Sequence, residues 1–183
     1  MRTLKKLLSN LHRYVFLLMA SVIVWAWVYN LCTETGAAKK VVVYIDSTSV
    51  SDAAMRAELN ENKPEGIKII KVYPFSYAFF SSGAPSDADI YIMPESDMDK
   101  YSDLLLPIDM SGEDFFIKGG KPLGIRIFNA SENTGAATSF IDYSGAEPQD
   151  YYICINRSSV HAGGENSADR AAFEVIETIL ALP

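Results

Sequence analysis

The sequence predicts an α/β domain: a three-layer, mostly parallel sheet of about five strands with helices on both faces, preceded by one N-terminal transmembrane helix. Three observations carry this. From residue 40 onward, apolar β-branched runs alternate with segments of helical spacing, the pattern of strands joined through crossover helices. Those runs are continuous rather than alternating, as in strands buried on both faces. Ahead of them, the 20 positions between Arg13 and Glu34 carry no charge.

The uncharged stretch has the length, about 20 residues, that a helix needs to cross a hydrocarbon core. A secretory apolar region is shorter, roughly 7–15 residues. Trp25, Trp27 and Tyr29 gather toward its far end, where amphipathic rings favour the interface. Arg2, Lys5, Lys6 and Arg13 all precede it, so the N-terminus is expected to stay cytoplasmic and the rest to lie outside the cell membrane. The division is then a basic tip at 1–13, an anchor at 14–33, a linker at 34–39 within the small and polar segment "TETGAAKK", 33–40, and an extracytoplasmic domain at 40–183. Small residues at "TGAA", 35–38, leave cleavage as the alternative to a permanent anchor. Tyr29-Asn30-Leu31 before Cys32 do not form a lipid-attachment signal. Cys32 and Cys154 read as two unpaired thiols, and no metal-type cysteine spacing occurs.

The elements follow in order. "KVVVYID", 40–46, is the first strand, and "SVSDAAMRAELNEN", 49–62, sets Val50, Ala54, Ala57 and Met55, Leu59 at helical spacing. "PEG", 64–66, ends that helix, and "IKIIKVYPF", 67–75, is the second strand. "ADIYIMP", 88–94, is the third; "SDMDKYSDLLLPID", 96–109, is a short helix and turn. "LGIRIFN", 123–129, and "DYYICIN", 150–156, are strands four and five. The last segment, 166–183, is a helix capped by Asn166 or Ser167, with Phe173, Ile176 and Leu180 as its buried stripe.

These segments resemble the first lobe of the extracellular solute-binding proteins that serve ABC importers. "GIKIIKVYPFSY", "SDADIYIMPESDMDKYSDLLLPID", "GKPLGIRIF" and "DYYICINRSSVHAGGENSADRAAFEVIETIL" carry the resemblance, which covers most of 40–183. It implies ligand capture or sensing outside the cell, next to a transporter. The departure is the missing second lobe: only about 25 residues separate strands four and five, against well over ~50 needed for another core. A single lobe cannot close on its ligand. It either binds at exposed strand ends or has become a non-catalytic envelope scaffold that engages a membrane protein partner.

In open α/β sheets ligands sit beyond the carboxyl ends of the strands. The candidates there are Asp46, Ser47, Thr48, Tyr77, Glu95, Ser96, Asn129 and Ser131, whose hydroxyls, amide, carboxylates and ring suit a sugar, amino acid or peptide. The plainer reading of the hydroxyls is helix capping. Phe75, Phe79 and Phe80 in "FSYAFFSSG" offer a partner surface, or lie buried under the domain edge.

Other features point away from chemistry. The acids Asp87, Asp89, Glu95, Asp97, Asp99 and Asp103 lack calcium-loop spacing and read as a solvated face. Gly163-Gly164 reads as a loop, and His161 has no evident carboxylate or nucleophile partner. No hydrolase, metalloprotease or nucleotide-binding motif is present, so neither an enzyme nor a cofactor is expected. The formal net charge is −7. The residues beyond 33 hold all 23 acids against 12 bases, which gives no footprint for nucleic acid.

Overall fold

The computed structural model describes residues 11–33, 35–47, 49–74, 88–108, 114–144, 148–163 and 170–183. It divides into two units, Met1–Thr35 and Gly36–Pro183.

The first unit is helix α1, Leu11–Thr33. Its apolar side chains face outward, with Phe16 and Trp25 about as exposed as any in the protein. The expected span 14–33 is therefore helical. Among the described residues, however, no helix is long and apolar enough to cross a membrane.

The second unit is built on one mixed sheet. Its strands are β1 (Lys40–Ile45), β2 (Ile69–Pro74), β3 (Ile90–Pro94), β4 (Leu105–Leu106), β5 (Phe115–Lys118), β6 (Lys121–Asn129), β7 (Thr134–Gly135) and β8 (Tyr151–Asn156). The order across the sheet is β2-β1-β3-β8-β6-β5. β1 pairs with β2 and β3 in parallel. β8 runs antiparallel to both β3 and β6, and β5 and β6 form a hairpin. Gly119 and Gly120 turn that hairpin at φ 59° and 75°, left-handed values that suit glycine. The expected mostly parallel sheet of about five strands is thus corrected to a mixed sheet of eight among the described residues, two of them only two residues long. A strand buried on both faces carries no mark of direction in its sequence.

Burial is continuous along β1, β3 and β8 because both faces are covered. Val41, Val43, Ile45, Ile90, Ile92, Ile153 and Ile155 face one core. Helix α2 (Asp52–Glu61) covers it with Met55 and Leu59, one turn apart. Helix α4 (Ala171–Leu180) adds Ala172, Val175, Ile176 and Ile179. Of the expected stripe, Ile176 is central, while Phe173 and Leu180 pack at its margin. Ala54 and Ala57 face outward. The expected caps Asn166 and Ser167 lie outside the described residues. On the other face, Val42, Tyr44, Tyr91, Met93 and Cys154 pack against Met98 of helix α3 (Glu95–Tyr101). Cys154 is a free, buried thiol 3.5 Å from Met98 Sδ, and burial pushes its pKa up.

Two glycines admit close packing. A Cβ on Gly135 would lie 2.4 Å from the Ile127 carbonyl oxygen and 2.8 Å from Phe128 Cα, both main chain. A Cβ on Gly124 would meet Cys154 Sγ at 2.7 Å and Met98 Cε at 2.9 Å, both side-chain ends that can shift. Gly135→Ala should therefore cost about 2–3 kcal/mol and Gly124→Ala about 1 kcal/mol. Urea unfolding of both variants should rank them in that order; equal stabilities would refute the packing difference.

Candidate functional site: the carboxyl edge of the sheet

Because β8 opposes both β3 and β6, strands β1, β2, β3 and β6 all run the same way. Their carboxyl ends and the start of β8 share one edge. The topology therefore gathers Asp46, Ser47, Glu95, Ser96, Asn129 and Ser131 at that edge, as the sequence implied. Thr48, Tyr77, Phe75, Phe79 and Phe80 lie outside the described residues.

Asp46 follows β1, its N–H donating to the Ile92 carbonyl at 2.7 Å. β3 pairs beside β1 and runs straight into α3, so the first turn of α3 sets Asp97 against Asp46. Burial, then a hydrogen bond with Asp97 and the charge of Asp97, push Asp46 up to about 7, while Lys100 opposes them. A neighbouring acid disfavours ionisation of Asp46, in the same direction as its burial. The same acids are felt on both faces of the sheet: Asp46 and Asp97 raise the pKa of Tyr44 on one side and of Tyr151 on the other, in each case after burial. Tyr151 stands edge-on to Tyr143 at 5.0 Å, and Tyr143 stacks on Phe128 at 4.5 Å.

The neighbouring polar groups are tied into turns. Ser47 Oγ donates to the Asp142 carbonyl at 3.1 Å and accepts from the Ser49 N–H at 3.2 Å. It joins the end of β1 to the 140–144 loop instead of capping α2. Ser51 N–H to the Phe140 carbonyl and Asp142 N–H to the Ser49 carbonyl complete that seam. Beside it, Ser49, Ser51, Thr138, Ser139 and Asp142 line a depression of about 350 Å³. Asn129 Oδ1 accepts from the Ser131 N–H at 3.0 Å and from Ser131 Oγ at 2.7 Å, so these two residues build a local turn. Glu95 and Ser96 are exposed at the start of α3. The Glu95 N–H donates to the Asp150 carbonyl, and Asp150 in turn accepts from Ala130 N–H at 2.8 Å and Arg126 Nη1 at 3.2 Å.

Sequence reasoning missed Asp97, Asp142, Asp150, Tyr143 and Tyr151. It also read the acids of 87–103 as a solvated face. Of these, Asp89 is buried, accepting from Val42 N–H at 2.8 Å and Ser159 Oγ at 2.6 Å, and Asp97 faces Asp46. Asp99 remains exposed, paired with Lys118 at 3.0 Å. Among the described residues no group of three or more His, Cys, Asp or Glu could hold a metal ion.

A carboxyl whose pKa is raised on folding binds more protons folded than unfolded, so stability falls as pH rises through that interval. For Asp46 the interval runs from about 4 to about 7. Asp46→Asn should flatten that decline and raise the melting temperature at pH 8 by about 3–6 °C, ~1–2 kcal/mol after discounting solvent at its open side. Below pH 4 the two proteins should melt together. A wild-type decline that survives the substitution would assign the titration elsewhere.

No family model matches the chain, and no curated protein matches it. Among solved structures, the chain is similar to the spermidine/putrescine ABC transporter substrate-binding protein PotD from Streptococcus pneumoniae. The identity is 21% and the TM-score 0.34, over 49% of this chain and 32% of that one. The chain thus spans about a third of the length of the protein it matches.

Proposed function

We propose that the chain is a non-catalytic, membrane-anchored, extracytoplasmic solute-binding domain that captures or senses a small solute, working beside a transporter. The observation that carries the reading is the Asp46–Asp97 pair at the carboxyl edge of an α/β sheet. An acidic pair at the strand ends favours a solute with an ammonium group, an amino acid or a peptide N-terminus, over a neutral sugar. The anchor reading draws on the 20 uncharged positions of 14–33, the four bases that precede them, and the outward apolar side chains of α1.

A second reading is an interaction module for a membrane protein. It is favoured by the single sheet of the Gly36–Pro183 unit, which offers a ligand an open edge rather than a cleft.

The full chain, melted against amino acids, peptides, sugars and metal ions, separates the two. A ligand at a hundred times its Kd stabilises by about 2.7 kcal/mol, roughly 5–10 °C here. Capture predicts such a rise for an ammonium-bearing solute, lost in Asp46→Asn. No rise across the panel would leave the interaction module standing. Membrane attachment is checked by alkaline carbonate extraction: the chain should stay in the pellet, and release into the supernatant would overturn the anchor.

A further inference from the structure

The opposite edge of the sheet holds a group with no part in the solute site. His161 lies in the loop between β8 and α4 and is 1% exposed. Its Nε2 lies 2.9 Å from the Ala37 carbonyl oxygen and 3.0 Å from that of Lys40. Two acceptors on one ring nitrogen require that nitrogen to carry the proton. The donor therefore grips both ends of the short 3-10 turn Ala37–Lys39, just where the chain enters β1.

The histidine is itself held in a ring of hydrogen bonds. Its N–H donates to Ser159 Oγ at 3.0 Å, Ser159 Oγ donates to Asp89 Oδ1 at 2.6 Å, and Asp89 Oδ2 accepts from Val42 N–H at 2.8 Å. Val42 lies two residues beyond Lys40 on β1, so the ring closes on the strand it grips. The His161 carbonyl also accepts from Ala172 in the first turn of α4. The turn has one further tie, from Lys68 N–H to the Lys39 carbonyl at 2.8 Å. A depression of about 370 Å³, lined by Ala37, Lys40, Asp89, Asn156 and Ser159 among others, lies along this seam.

We propose that His161 is a clamp that straps residues 36–40 to the domain, so that one side chain decides whether this stem is docked or free. A donor that bridges two carbonyls of one turn, from a loop more than a hundred residues away, fixes that turn against a body it would otherwise leave. Where α1 serves as the anchor, release would add five residues to the tether, up to about 17 Å of reach.

The test uses the full chain and hydrogen exchange. In His161→Phe, which keeps a ring and removes the donor, amides of 37–40 should exchange at least about tenfold faster, and trypsin should cut after Lys39 or Lys40. Amides of β3 and β8 should keep their protection. His161→Gln, whose amide nitrogen reaches the Nε2 position, should restore the wild-type pattern. Stem protection unchanged in His161→Phe, or protection lost evenly across the sheet, would overturn the clamp. Should His161→Phe fail to fold, the wild-type imidazole decides. A slowly exchanging Nε2 proton in a nitrogen-proton correlation spectrum supports the strap, and an unprotonated Nε2 sinks it.

Discussion

Strand β8 is the element on which the rest depends. It is hydrogen-bonded on both sides, to β3 along one flank and to β6 and then β4 along the other. All six of its residues are buried. Without it, the parallel group β2-β1-β3 and the β5-β6 hairpin would each be left as a small sheet with an open edge. Its direction matters as much as its place. Running against β3 and β6, it makes their carboxyl ends coincide, and so creates an edge at which side chains from three separate strands can meet.

The two ends of β8 then organise the two polar regions of the domain. Asp150, just before it, receives Ala130, Arg126 and Glu95 and so locks the loops that follow β3 and β6. Asn156, its last residue, donates to the Ala88 carbonyl at 2.7 Å and to Tyr91 at 3.1 Å. The loop that follows carries Ser159 and His161 to the stem. One apolar strand thus sets polar groups at both ends, about 20 Å apart for six residues at ~3.3 Å each. That separation sets the carboxylate edge apart from the His161 contacts at the start of β1.

Much of this was legible in the sequence, for a physical reason. β1, β3 and β8 are unbroken apolar runs because both faces are covered, and Met55 and Leu59 mark the buried side of α2 by their spacing. Asp46, Glu95 and Asn129 could be placed at one edge because strand ends are visible as the last residues of such runs. The partners were not visible. Asp97 sits in a run of acids whose pattern is that of a solvated surface, and only the β1-β3 pairing turns it toward Asp46. β5 is half-exposed and four residues long, too weak a signal to register. His161 looked solitary because its ring partners are main-chain carbonyls, which no residue identity can announce.

The carboxylate pair is a place where the fold carries a cost. Nothing in the hydrogen-bonding of the sheet uses the Asp46 side chain; only its N–H joins the ladder, to Ile92. Its carboxyl is held half-buried against a second acid, a placement that costs free energy once both are ionised. An amide at the same position would hold the strand end equally well and at lower cost. Under the proposed function, a cation bound at this edge would relieve that repulsion, and its binding would draw part of its energy from a cost the fold already carries.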